Sequence, residues 1–405
     1  MDKDRLLKES KVFCMAPWIH AHTSPIGDFS ACCISKEKFG SSLENSLEQL
    51  VNSDGMRNLR TNMIFEKESP SCTTCYQHEK QGQNSFRNKL NKDFGKDLEE
   101  SLIHTNMVGY LSNFKMRYFD LRFTNICNFK CRTCNSAFSS QWEFENLKRK
   151  LPDARVFDKN NKPEFLKEIL DHVPYMETAY FAGGEPLITE EHYILLEEMI
   201  RLGKTDIQLS YNSNASNLKF KQKDVIDLWS RFSKPILMAA SIDHYGERAE
   251  YIRNGTDWAQ VESNLLKFRS LDNISLTLNT VVSIFNYTTL HDFYNYIIDK
   301  NIILPTDYVH TTYSMVSPEH LTARALPKEL KAMGKQGIQS LIVSMRAKGF
   351  LSHQTNAIGK NIVWAETEHT WDTYKTMFQE EVGALDKVRG ESFASVFPEL
   401  TSLLD

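Results

Sequence analysis

The segment TNICNFKCRTCNS, residues 124–136, constrains this chain more than any other, because it puts Cys127, Cys131 and Cys134 on one short loop. Three thiolates so spaced can each bind one iron of a cubane cluster, leaving the fourth iron without a protein ligand. An open iron is what a cluster needs if it is to bind a molecule rather than only pass electrons. The competing reading is structural zinc, which wants four closed ligands. No histidine lies near enough in sequence to complete such a set, the nearest being His104 and His172, so zinc would need a distant cysteine.

All eight cysteines of the 405 residues fall by position 134, at 14, 32, 33, 72, 75, 127, 131 and 134. That clustering favours ligation over use as core residues. The N-terminus MDKDRLLKES is charged from its second residue, with no apolar stretch of a signal peptide, and no later run approaches the ~18 residues of a spanning helix. A cytoplasmic chain with no membrane partner is the expectation, and there close Cys pairs read as metal or redox sites before disulfides. Lys and Arg number 48 against 52 Asp and Glu, a net charge of −4 that offers no nucleic acid a basic surface.

From about residue 116 strand-like and helix-like patterns alternate. Strands are predicted at MRYFDLRF (116–123), AYFA (179–182), DIQLS (206–210), ILMAASI (236–242), ISLTLNTVV (274–282) and TDYVHTT (306–312). Segments such as EEHYILLEEMIRLG and DWAQVESNLLKFRS between them carry helical apolar spacing. About six such units predict an α/β fold with parallel strands and right-handed crossovers, an open or closed barrel, with a doubly wound sheet as the alternative. The expected organisation is a small metal-stapled domain over 1–100, the barrel over 101–345 and a helical extension over 346–405 that packs on the rest.

The Cys127–Cys131–Cys134 loop after the first strand resembles the signature of the radical S-adenosylmethionine superfamily, whose core is a partial (βα)6 barrel of TIM type; the resemblance covers about 116–315. It implies a 4Fe-4S cluster whose open iron is chelated by the amino and carboxylate groups of S-adenosylmethionine. Reductive cleavage would then give a 5′-deoxyadenosyl radical that abstracts hydrogen from a substrate. Where the superfamily usually has an aromatic residue before the third cysteine, against the adenine, this chain has Thr133.

Further segments carry the same resemblance. FAGGEPLI matches the GGEP loop, where Gly183, Gly184 and Glu185 follow the second strand and the glycine backbone would meet the methionine amine. Ser213 and Asn214 of SYNSNAS stand at the polar motif near the ribose. In AASIDHYGERAEYIRNG, Ser241 and Arg253 would hold the cofactor carboxylate, since a guanidinium matches it as a fork. Val282 is placed behind the adenine and Asn286 as a cap of the next helix. Asp243 and Glu185 are the candidates for catalytic acid or base. Every one of these motifs falls at the C-terminal end of a predicted strand, the face on which barrel enzymes build their sites.

FCMAPWIHAHTSPIGDFSACC (13–33) and PSCTTC (70–75) resemble the auxiliary-cluster domains called SPASM and twitch, permuted to the N-terminal side of the barrel. The resemblance implies Cys14, Cys32, Cys72 and Cys75 as ligands of one auxiliary 4Fe-4S cluster, twitch-like in count, with Cys33 a small buried hydrophobe. A rubredoxin-like or zinc-ribbon site is the alternative for these cysteines. A peptide or protein substrate is the leading expectation, the same chemistry on a sugar- or nucleotide-like metabolite the second. A flavodoxin or ferredoxin is expected as electron donor. The alternative of another class is a non-catalytic iron-sulfur electron carrier or a zinc-stabilised binding protein.

Overall fold

The computed structural model describes residues 3–157, 163–307 and 311–405, and they group into two units. The first comprises Met1–Ile126, Glu143–Ser210 and Lys219–Lys234. It opens with a helical turn, Ala16–Ile19, followed by an antiparallel meander of β1 (His20–Thr23), β2 (Asp28–Ser30) and β3 (Gly40–Ser41). Gly27, at φ +89°, supplies the left-handed residue between β1 and β2. The helices that follow include α1 (Asp54–Ile64), α2 (Thr73–Lys80) and α3 (Phe86–Phe94).

The first predicted barrel strand is β4 (Tyr118–Leu121). After α4 (Pro163–Asp171) comes β5 (Thr178–Phe181), parallel to β4 with Asp120 opposite Tyr180. On its other edge β4 pairs in parallel with β1, placing His22 opposite Asp120. Nothing in HAHT signals a strand, yet all four residues are buried. Each histidine has one ring nitrogen beside a polar group: His22 Nδ1 lies 3.1 Å from Asp120 Oδ2, and His20 Nδ1 lies 3.0 Å from the Ala31 carbonyl. The N-terminal cysteine region is thus hydrogen-bonded to the first barrel strand within one unit. Next, α5 (Glu190–Arg201) buries Tyr193, Leu195, Leu196 and Met199 along one stripe before β6 (Gln208–Ser213), whose last three residues belong to the second unit.

That second unit comprises Cys127–Trp142, Tyr211–Leu218 and Pro235–Asp405. It holds β7 (Ile236–Ser241), α6 (Gly246–Ile252), α7 (Trp258–Arg269), β8 (Ile274–Val282), α8 (Leu290–Asp299) and β9 (Thr311–Ser314). These strands are parallel in the order β7-β8-β9, with Asn279 opposite both Ser241 and Thr311. Along β8 burial alternates strictly: Ile274, Leu276, Leu278, Thr280 and Val282 are buried, while Ser275, Thr277, Asn279 and Val281 are half-exposed. One face is an apolar core surface and the other a polar one. Part of the strand predicted at 306–312 lies outside the described residues, and β9 begins at Thr311.

The C-terminal part is helical, with α9 (Lys328–Ala347), α10 (Ser352–Glu366) and α11 (Trp371–Arg389), then a short helix at Phe393–Val396. Phe393 packs on Phe378 at 5.6 Å and on Phe397 at 5.3 Å between ring centroids, and Phe285 from the β8–α8 connection joins them. Gly390, at φ +70°, ends α11 in the left-handed conformation and turns the chain back. Among the described residues no helix is long and apolar enough to cross a membrane.

Candidate active site

The cysteine loop is held by backbone. The Lys130 N–H donates to the Asn254 carbonyl at 2.8 Å and the Arg132 N–H to the Ile252 carbonyl at 2.7 Å, so the loop runs along the end of α6 as a short ladder. Gly255, at φ +108°, is required beside it, because a Cβ there would lie 2.8 Å from the Asn128 carbonyl oxygen. Trp142 Nε1 donates to the Cys131 carbonyl at 2.8 Å. Arg253 stands between the two ladder carbonyls and so faces Cys131. Its Nη1 lies 3.8 Å from Cys131 Sγ, and its Nε lies 2.8 Å from Asp243 Oδ2. Asp243 Oδ1 in turn accepts the Val281 N–H at 2.8 Å.

Burial raises the Cys131 thiol pKa, with the Arg253 cation pulling the other way, and pushes Cys134 up to about 12. These are thiols that part with their protons on ligation, so loading a cluster releases protons. Asn214 Nδ2 donates to Asn128 Oδ1 at 2.9 Å, and Ser216 Oγ receives the Asn128 amide at 2.9 Å, tying the loop after β6 to the cysteine loop. Ser213 is buried, its Oγ accepting the Ala215 N–H at 3.0 Å. Asn286 departs from its expected role. Its amide donates to the Asp243 and Val281 carbonyls at 3.0 and 2.9 Å and its Oδ1 accepts the Ser283 N–H, so it braces the β8 end under Asp243, while Thr289 stands at the start of α8. Val282 lies on the buried face of β8, opposite to the face of Asn279 that meets Ser241.

In the first unit the GGEP loop packs on the chain that leads into Cys127. The Gly184 N–H donates to the Thr124 carbonyl at 3.2 Å and the Glu185 N–H to the Ile126 carbonyl at 2.8 Å. A Cβ on Gly184 would sit 2.1 Å from the Ile126 carbonyl oxygen, and Gly183 has φ +117°. Close packing of backbone on backbone therefore already demands glycine here. Glu185 is buried, and its Oε1 accepts the Leu187 N–H at 3.1 Å, opening the helical turn Pro186–Ile188.

Cys14, Cys32, Cys72 and Cys75 line one cavity of the same unit, together with Phe86 and Arg87. None is in a disulfide. Cys33 does not border it and is exposed, which corrects its assignment as a buried hydrophobe: the chain leaving β2 turns one of the adjacent cysteines inward and the other out. Burial pushes Cys72 up to about 11 and lifts Cys14 and Cys32 well above the thiol range. Arg87 is buried and bridges two sides of the cavity wall, donating to the Ser10 and Phe13 carbonyls at 3.1 and 2.8 Å and pairing with Glu79 of α2. Four thiols around an apolar cavity beside a fixed cation fit an anionic iron-sulfur cluster. Among the described residues no three or more Cys, His, Asp or Glu side chains gather as tightly as one bare ion needs.

Residues 121–297 match the family described as the radical SAM superfamily, and residues 14–76 match the iron-sulfur cluster-binding domain SPASM. The chain thus carries a radical SAM domain, with a SPASM region ahead of it. It is an α/β protein with the parallel sheet typical of the radical SAM partial barrel, an N-terminal SPASM region and C-terminal helices. Its cofactors are a 4Fe-4S cluster that binds S-adenosylmethionine, S-adenosylmethionine itself and an auxiliary iron-sulfur cluster in the SPASM domain. Similar solved structures include tagged anSMEcpe with bound AdoMet, at 15% identity over 58% of this chain and 60% of that one, TM-score 0.42. SuiB of Streptococcus suis bound to precursor peptide SuiA is another, at 13% identity over 74% and 67% of the two chains, TM-score 0.39. The chain thus spans less than two thirds of the length of the first of these. No curated protein matches it.

Several residues of this radical SAM chain that shape the site were not singled out from sequence. Asn128 is an ordinary loop residue until its amide meets Asn214. Arg87 and Arg132 look like solvated charges, but both are buried. Only the position of Asn128 and Arg132 inside the cysteine motif could have drawn attention to them.

Proposed function

We propose that the chain is a radical S-adenosylmethionine enzyme in which Cys127, Cys131 and Cys134 hold the cluster with the open iron, acting on a peptide or protein. The observation that carries this reading is the Arg253 guanidinium, fixed by Asp243 at 2.8 Å and standing 3.8 Å from Cys131 Sγ. A preorganised cation beside a loop of thiolates supplies the counter-charge that a carboxylate on the open iron requires. When bound, cluster and cofactor supply reductive cleavage of S-adenosylmethionine, which leads to hydrogen abstraction from the substrate.

The chain's own residues bind and orient. Arg253, with Ser241 at the end of β7, takes the cofactor carboxylate, and Asp243 acts by holding the guanidinium. Gly183, Gly184 and Glu185 shape the backbone offered to the methionine amine, while Ser213 and Asn214 shape the loop near the ribose. Val282, the buried last residue of β8, backs the adenine. Cys14, Cys32, Cys72 and Cys75 hold the auxiliary cluster, and a flavodoxin or ferredoxin supplies electrons.

The peptide assignment rests on the SPASM region. A second reading, a small polar metabolite, draws on the half-exposed row Ser275, Thr277 and Asn279 with Ser241 opposite. The two are separated by incubating the reconstituted enzyme with peptide pools or with sugars and nucleotides. Deoxyadenosine formed in proportion to a mass change in a peptide supports the first. Deoxyadenosine coupled only to a sugar or nucleotide contradicts it.

A further inference from the structure

Arg132 sits between Cys131 and Thr133, inside the motif, and its side chain is 1% exposed. A buried guanidinium is tolerated only when its charge is met by counter-charges. Here both counter-charges come from the far end of the sequence. Nη2 lies 2.6 Å from Asp386 Oδ1 on α11 and 2.5 Å from Glu391 Oε2 just beyond Gly390. The guanidinium stacks on Tyr251 at 3.7 Å from the ring centre, and Nε donates to the Tyr251 carbonyl at 3.2 Å.

The two carboxylates are themselves fully engaged. Asp386 accepts the Tyr251 hydroxyl at 2.7 Å and the Phe393 N–H at 2.7 Å. Glu391 accepts the Asn254 amide at 2.5 Å. Asn254 is one of the two residues whose carbonyls hold the cysteine loop, and Tyr251 directly precedes the other, Ile252. One network therefore joins the C-terminal segment, the end of α6 and the peptide unit that follows Cys131. Arg389 adds to it, its guanidinium 4.9 Å from the ring of Trp142, which holds the Cys131 carbonyl.

We propose that Asp386 and Glu391 are positioning residues for the cluster-binding loop, acting through Arg132, so that the C-terminal segment is a working part of the S-adenosylmethionine site. The proposal rests on the reading that Cys127, Cys131 and Cys134 are ligands. Its test uses the full chain, reconstituted anaerobically, as wild type, Asp386→Asn, Asp386→Asn with Glu391→Gln, and Cys131→Ala. Iron per chain, the electron paramagnetic resonance of each reduced cluster, and the rate of iron loss to bathophenanthroline are measured. The single variant leaves Arg132 one carboxylate, so it carries the test if the double variant does not fold.

Wild type is expected to hold about eight irons and Cys131→Ala about four, the auxiliary cluster reporting that the chain is folded. The carboxylate variants are expected to lose one half of their iron roughly tenfold faster than wild type, the scale on which outer-shell partners act on metal sites. In the same variants the resonance that responds to S-adenosylmethionine should shift while the other is unchanged. Equal rates for both halves in wild type and variants overturn the proposal, and so does simultaneous loss of both clusters, which marks a role in folding alone. Full iron in Cys131→Ala overturns the ligand reading itself, and this proposal with it.

Discussion

A methyl group on Gly184 has no room, since its carbon would lie 2.1 Å from the Ile126 carbonyl oxygen, one residue before Cys127. Gly184→Ala is therefore expected to displace the lead-in to the cysteine loop. We predict a stability loss of about 1–3 kcal/mol, as overpacking costs, together with reduced iron at the three-cysteine loop, read by thermal denaturation and iron analysis; unchanged values contradict this account of the glycine. Asp243 poses a different question, because it was read as a catalytic candidate and the structure pairs it with Arg253 and the Val281 N–H. As a holder of Arg253, its change to Asn should weaken S-adenosylmethionine binding roughly tenfold or more. Equilibrium binding checks this, and unaltered affinity with slower turnover would instead mark Asp243 as an acid or base. Sequence could name both residues from the motifs. It could not say that Gly184 is tied to backbone, or that the Arg253 guanidinium depends on a carboxylate ten positions earlier.

Elements were legible to the extent that their burial is one-sided. ISLTLNTVV alternates strictly and β8 covers the same nine residues, Ile274–Val282. ILMAASI and AYFA likewise became β7 and β5 to within a residue or so. β1 escaped because a strand of His, Ala and Thr gives no apolar signal; its burial depends on Asp120, which belongs to a strand nearly a hundred positions later. The same long-range dependence governs the auxiliary cavity, where Arg87 of α3 joins the Cys14 loop to Glu79 of α2. Arg87→Met removes that tie and leaves Glu79 without its buried partner. The expected result is loss of the auxiliary cluster, about four irons of about eight, with the three-cysteine cluster retained. Iron analysis with Mössbauer spectroscopy checks it, and full iron content in the variant contradicts it.

Among the described residues three histidines are held neutral by burial, His20 down to about 4 and His192 and His244 to about 3. Unfolded, each protonates near 6.5, so between about pH 6.5 and 4 the unfolded state binds more protons than the folded one. Stability is then fully present above pH 6.5 and falls as the pH drops through that window, by roughly 1.4 kcal/mol per unit for each histidine. Asp120, held down at about 2 by His22 and Arg122 against the effect of burial, acts only below about pH 4. His192→Leu should flatten the fall in the cluster-free chain, measured as Tm against pH; an unchanged slope contradicts the assignment. At this scale the helical character of the C-terminal extension was legible, but its charge partnership with Arg132 was not, because no local pattern links residues 254 positions apart. The central claim is that the three cysteines bind the cluster that cleaves S-adenosylmethionine. Its most direct test is anaerobic reconstitution with S-adenosylmethionine and a reductant, following 5′-deoxyadenosine in wild type and Cys131→Ala. The account predicts deoxyadenosine from wild type and none from the variant; equal amounts from both would contradict it.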